Sequence, residues 1–313
     1  MPGFLSHYIA GQAVYKSMAS DIRKNIEQCE RLYNLGSQGP DIFFYCLPGI
    51  IRKRSRGVGM EMHQNDLGIF ITRMAHIAKN SPKSERDIIF SYAAGFIMHY
   101  VFDVHAHPYV YAQTYDTNAA RLKNSADHRI FETAIDIALL KLVSGQKPAN
   151  YHQWELISAE FNQLAIAATA MSKSLKAVYN RPISPKDVYQ AMRHMIKITR
   201  LLRSRKGRRK KWVELAENFT LRQPLFSSMI HDQEVNDDRD YLNEQKQPWK
   251  APWDEAETCT DSFVERYAAA VTEGLQTIEC LHAYVYGQLP LRILAKKLGN
   301  RSLKTGLPCG LVK

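Results

Sequence analysis

The sequence contains no pair of cysteines close enough along the chain to form a zinc-binding or redox couple. Cys29, Cys46, Cys259, Cys280 and Cys309 are scattered singly and in odd number, with no CxxC pair. That argues against a disulfide framework and against a thiolate zinc site, and it fits reduced thiols in a cytoplasm. Any metal must therefore be held by nitrogen and oxygen. Long apolar runs are also missing. None reaches the roughly 20 residues needed to cross a bilayer, and the closest, 88–102, already contains His99. The opening MPGFLSHYIAG lacks both a basic region and a long apolar stretch, so no secretory signal is expected. Strand-like alternation and internal repeats are absent. The expectation is a cytoplasmic protein without a transmembrane segment, capable at most of peripheral membrane association.

What remains is ordinary globular material, 313 residues with 45% apolar and 23% charged, enough for a substantial core. The net charge of +11 is unevenly spread, because RLLRSRKGRRKK at 200–211 holds eight Lys/Arg and no acid. Such a block attracts phosphates of an anionic membrane surface or of nucleic acid, or simply forms a solvated surface.

Apolar residues recur at three- and four-residue spacing over 8–33, 64–79, 86–105, 126–145 and 151–178, which predicts helices. Ser184 before Pro185 reads as a helix start, opening a helix to about residue 203. A short helix is expected over 213–222, a long irregular loop over 223–260, and a final helix over 262–287. The fold class is all-α, in a single domain over 1–313. Its metal-ligand core falls within 1–140, and a helical, loop-rich part occupies 141–313.

The chemistry concentrates in HYVFDVHAHPY, residues 99–109. His99 and Asp103 are four apart and share a helix face, which His107 continues while His105 points away. Pro108 predicts that the helix ends near residue 106, leaving His107 at a chain end able to swing toward the same centre. His128 and Glu132 repeat the four-residue spacing on another helix, capped by Ser125 or Asp127. His63 is read at the start of an amphipathic helix. Asp41 lies at a turn before an aromatic run (Phe43, Phe44, Tyr45), and His7 lies near the N-terminus. Each alone has an ordinary explanation as a cap, an ion pair or a core histidine. Two helices that each offer nitrogen and carboxylate can instead converge on one cation.

The succession SHYIAG, GPDIFFY, MEMH, HYVFDVHAHPY and HRIFETAID resembles the zinc-dependent phospholipase C family. That family shares its helical fold and trinuclear zinc centre with fungal single-strand nucleases. The resemblance spans residues 7–132, and YLN at 241–243 with Trp249 matches more loosely. It implies two or three zinc ions. Asp41, His63, His99 and Asp103 would surround the first, and His107, His128 and Glu132 the second. His7 and a bridging Asp103 would reach the third, with His105 as the alternate to His107. Secreted relatives complete the third ion with an N-terminal Trp. This chain begins Met-Pro, so its own terminal amine would have to substitute.

The implied activity is hydrolysis of phosphate esters by a zinc-activated water, with Asp41 as general base or water orienter and Asp103 as bridging carboxylate. Phospholipid is the favoured substrate. The alternatives are a nuclease-like phosphodiesterase, for which Trp249 and Trp253 could stack bases, and a non-catalytic, metal-stabilised interaction protein.

Overall fold

The computed structural model describes residues 3–46, 50–116, 121–202, 210, 212–213, 230–232, 234 and 238–310. Its architecture is all-α. The first half runs through α1 (Phe4–Ser17), α2 (Ser20–Glu27), α3 (Glu30–Gly36), a 3-10 helix (Gly39–Tyr45), α4 (Ile50–Gln64), α5 (Leu67–Lys79), α6 (Lys83–Thr114) and α7 (Arg121–Ser144). There follow α8 (Gln153–Leu156), α9 (Phe161–Tyr179), α10 (Pro185–Leu201), the strands β1 (Trp249–Ala251) and β2 (Asp254–Cys259), α11 (Phe263–Val285) and α12 (Leu291–Leu298).

α6 is the axis of the molecule. From Ile88 to Val110 nearly every residue is buried, so the helix has no polar face and other helices must surround it. α3, α5, α7, α9 and α11 all pack against it. By length and composition alone it could cross a membrane, but 94% of its most apolar 18-residue window is buried inside the fold. The middle of this helix is shielded from solvent, and with it His99, Asp103 and His107.

The predicted helices that fall among the described residues exist, with corrected limits. The stretch 8–33 is three helices, because Met18 leaves α1 with extended backbone and buries its own side chain. Similarly, 151–178 divides into α8 and α9, the second opened by a capping box between Glu160 and Gln163. α7 begins at Arg121, so Ser125 and Asp127 lie inside the helix and cap nothing. His63 stands at the C-terminal end of α4 and not at the start of the next helix. Residues 50–64 lack a readable apolar stripe, and their packing against the 3-10 helix supports them.

The largest correction concerns Pro108. The helix does not end before it, and α6 continues six residues further. Proline's φ suits a helix; what it removes is one backbone donor. The carbonyl left without that donor is Val104's, four residues back; Arg266 donates to the neighbouring His105 carbonyl (2.8 Å), and buried Tyr109 and Val110 keep the next turn packed against the core.

The loop expected over 223–260 contains a small antiparallel hairpin, β1 with β2, in which Trp249 pairs with Cys259 and Ala251 with Asp254. Its strand DEAETC has no apolar alternation, so periodicity gave no sign of it. Ser184 caps α10 as expected, accepting from the Asp187 amide, and Ser262 caps α11 in the same way. All five cysteines are free thiols. The helix expected over 213–222, and the basic stretch 200–211 apart from residues 200–202 and Lys210, lie outside the described residues.

Candidate metal centre

Five elements bring eight side chains together around the middle of α6. α1 supplies His7, the 3-10 helix supplies Asp41, and the end of α4 supplies His63. α6 contributes His99, Asp103 and His107, and α7 contributes His128 and Glu132. His7, Asp41, His99, Asp103, His107 and Glu132 are buried, and His63 and His128 are nearly so.

Asp103 is the hub. Its Oδ1 lies 3.1 Å from His7 Nε2 and 3.8 Å from His107 Nε2, and its Oδ2 lies 3.1 Å from His99 Nε2. On one side His63 Nε2 is 3.2 Å from Asp41 Oδ1. On the other, Glu132 Oε1 is 3.3 Å from His107 Nε2 and 2.9 Å from His128 Nε2. Three subsets place all their ligand atoms within 4.8 Å of one another: His7 with Asp41 and His99, His63 with His99 and Asp103, and His107 with His128 and Glu132. Ligands about 2.1 Å from a tetrahedral zinc stand about 3.4 Å apart, which is the spacing found here.

The donor set fits a cation better than it fits itself. Both His7 nitrogens, His99 Nε2, Asp41 Oδ1 and Asp103 Oδ2 are buried and make no aligned hydrogen bond, despite their close neighbours. Buried polar atoms are ordinarily satisfied, so lone pairs aimed at a shared point and not at one another indicate an ion's place. The opposite ring nitrogens are occupied. His63 Nδ1 donates to the Gly59 carbonyl (2.7 Å), His107 Nδ1 to the Leu303 carbonyl (2.7 Å) and His99 Nδ1 to the Ser37 carbonyl (3.3 Å). This assignment of tautomers leaves each Nε2 as a free lone pair directed inward. A cavity of about 20 Å³, lined in part by His7, Asp103, His107 and Glu132, adjoins them. It has room for one water-sized occupant.

Electrostatics point the same way. Burial pushes the Asp103 carboxyl up, but the positive charges of His107, His99 and His7 outweigh it and hold the group well below the carboxylate range. Glu132 is likewise raised by burial and pulled well below that range by His128 and His107. Burial lowers His107, but Asp103 and Glu132 carry it up to about 9. Burial also lowers His7, and Asp103 reverses that to leave it raised. His99 and His128 are lowered, chiefly by burial. Ionised carboxylates thus face two imidazoles, His7 and His107, whose protons those carboxylates favour against burial. A divalent cation would displace those protons.

His105 turns away from the centre, with Nε2 2.7 Å from Glu273 Oε2. The aromatic run divides: Phe43 and Tyr45 are core, whereas the half-buried Phe44 lies 5.4 Å from the His63 ring. Trp249 is buried against Tyr109, with its Nε1 donating to the Asp261 carbonyl (3.1 Å). Met1 and Pro2, expected to complete the third ion, lie outside the described residues.

Three supporting residues escaped the sequence reading. Asp136 is fully buried one turn beyond Glu132, and it accepts from the Leu5 and Ser6 amides (2.9 and 2.8 Å). It thereby satisfies the open N-terminus of α1 and fixes the helix that carries His7. His231 Nε2 contacts its other face at 2.6 Å. The continued four-residue spacing after His128 and Glu132 was its available signal. Gly39 adopts φ +51°, and a Cβ there would stand 2.4 Å from the His99 ring. Leu303 contributes only its carbonyl, which no side-chain pattern could announce.

With this geometry in hand, comparison with protein families matches residues 3–189, more than half of the chain, to the model described as zinc dependent phospholipase C. No curated protein and no solved structure matches.

Proposed function

The chain belongs to the zinc-dependent phospholipase C family, and from that premise we propose that it hydrolyses phosphodiesters, phospholipids foremost, at the centre built around Asp103. His7, Asp41, His63, His99, Asp103, His107, His128 and Glu132 would hold two or three zinc ions. Bound zinc supplies a Lewis acid for the phosphoryl oxygens and lowers the pKa of water from about 16 to about 7.

The chain's own residues do the rest. Asp103 lies between the two outer sets and holds both in register through its two oxygens. Asp41 has an oxygen without a hydrogen bond beside His63, placed to take the proton of the attacking water. The carbonyls of Gly59, Ser37 and Leu303 fix the imidazole rings, so the donors are preorganised before substrate arrives. Burial of α6 excludes bulk water and strengthens every charge interaction there. We regard 1–313 as one functional unit, because the Leu303 carbonyl orients His107.

The observation that carries the proposal is the set of buried Nε2 and carboxylate lone pairs without hydrogen bonds, converging at ligand spacing. Protein purified with zinc should hydrolyse bis(p-nitrophenyl) phosphate. A chelator should abolish turnover and added zinc restore it. A zinc-loaded protein with no turnover on this diester or on short-chain phospholipid would overturn the hydrolase reading. The nuclease reading keeps only one of its two stacking candidates: Trp249 is committed to the core and offers no face to a base, whereas Trp253 stands beside Tyr111 in an open pocket.

A further inference from the structure

Beside the metal centre lies a larger pocket of about 360 Å³, within the range of small-ligand sites. Its walls come from the end of α4, the last turn of α6, the β1–β2 turn and the segment after α12. None of the eight ligand side chains lines it, but its walls contact residues of both outer sets. The Tyr111 ring is 4.7 Å from the His128 ring and 5.8 Å from that of His107. On the other side Ser302 Oγ donates to the His63 carbonyl (3.4 Å), next to the Leu303 amide that donates to the same oxygen (2.9 Å). A diester whose phosphorus lay among the ligands would place one of its two substituents here.

The lining has a definite chemical character. Among the described residues Lys304 is its single charged member, and no carboxylate lines it. Ser302, Thr305 and Asn65 present hydroxyl and amide groups, beside Tyr111 and Trp253. Lys304 makes no ion pair among the described residues. Its ammonium stands 5.6 Å over the Tyr111 ring, the lining aromatic that also contacts His128 and His107. A quaternary ammonium held by cation–π contact at Tyr111 would share that ring with the lysine, and Trp253 and Tyr115 stand in the same pocket within reach of the same repulsion. No carboxylate among the described lining residues offsets that repulsion.

Resting on the hydrolase reading above, we infer that this pocket is the headgroup subsite and that it selects a polyol headgroup, bare or phosphorylated, over choline. Hydroxyls of the polyol meet Ser302, Thr305 and Asn65, and Lys304 pairs with any further phosphate while repelling a cationic headgroup.

The test uses the full-length, zinc-loaded protein and two substrates below their micellar concentrations, dihexanoyl phosphatidylglycerol and dihexanoyl phosphatidylcholine. The ratio of kcat/KM should favour the glycerol lipid about fivefold, the size one partly screened charge interaction supports. Lys304→Gln should shrink that ratio, and Lys304→Glu should bring it below one. A wild-type ratio of one or less, or a ratio unmoved by both substitutions, overturns the inference. So does faster cleavage of a single-stranded oligonucleotide than of the glycerol lipid.

Calorimetry with glycerol 1-phosphate and phosphocholine reads the pocket without turnover. Tighter binding of glycerol 1-phosphate, lost in Lys304→Glu, supports the subsite; equal affinity, tighter phosphocholine or no binding of either overturns it. Turnover of bis(p-nitrophenyl) phosphate with no headgroup preference refutes the subsite alone. Discrimination by calorimetry without any turnover refutes the hydrolase reading alone.

Discussion

Three imidazoles converge on the one buried carboxylate of Asp103, and that concentration makes it the most sensitive residue of the centre. Asp103→Asn keeps the volume but removes the charge and one ligand oxygen. Zinc affinity and diester hydrolysis should each fall by at least about 100-fold, the upper end of what disturbing even supporting groups does. Zinc content after dialysis and the hydrolysis rate read this directly, and a fully metallated, fully active variant would sink the assignment. Gly39→Ala should act through a neighbour. The new methyl meets the His99 ring at a positive φ, at a cost of about 1–3 kcal/mol, so Tm should fall and zinc should bind more weakly. An unchanged Tm would show that His99 is free to shift. At this scale the sequence was most legible for side chains at four-residue spacing, such as His99 with Asp103 and His128 with Glu132. It was silent on the Leu303 carbonyl, because a backbone acceptor has no residue-type signature.

Among the elements, the segment after α12 is clamped to the core by one charged cluster. Glu273 of α11 receives Arg301 and lies against His105 of α6. Burial pushes the Glu273 carboxyl up, but hydrogen bonds from His105 and Arg301 outweigh it and bring it from 4.5 down to about 2. Its folded pKa is below its unfolded one, so its stabilising contribution is complete above about pH 4.5. That contribution is lost as pH falls toward 2. Glu273→Gln should therefore cost on the order of 1–2 kcal/mol at pH 7, after discounting for solvent screening. The penalty should narrow clearly by pH 3. Urea unfolding of both proteins at the two pH values checks it, and a penalty that grew on acidification would refute the sign. Helix existence was legible here and helix limits were not. Pro108 reads locally as a terminator, yet the buried Tyr109 and Val110 beyond it hold α6 against the core, and that packing is tertiary.

Across the whole molecule, five histidines and three carboxylates share a small, largely dry volume, and a cation held there would link α1, α4, α6 and α7. Removing zinc should therefore destabilise the fold as well as stop hydrolysis. Zinc at 1,000 times its Kd adds about 4 kcal/mol, which for a chain of this size corresponds to roughly 6 °C in Tm. A thermal scan with and without chelator measures it, and identical midpoints would argue that the centre is structurally idle. The all-α class was legible from periodicity. The hairpin β1–β2 was not, since its strand DEAETC is polar throughout and owes its shape to pairing and to the buried Trp249.

The hydrogen bond from His107 to the Leu303 carbonyl spans 196 residues of sequence. A ribosome adding about 5–20 residues per second needs roughly 10–40 s to cover that distance. Throughout that interval His107 lacks the acceptor that sets its tautomer, even if the helices around it have already formed. Complete loading of the centre is therefore an event that follows synthesis of residue 303, and nascent chains stalled before it should capture metal incompletely.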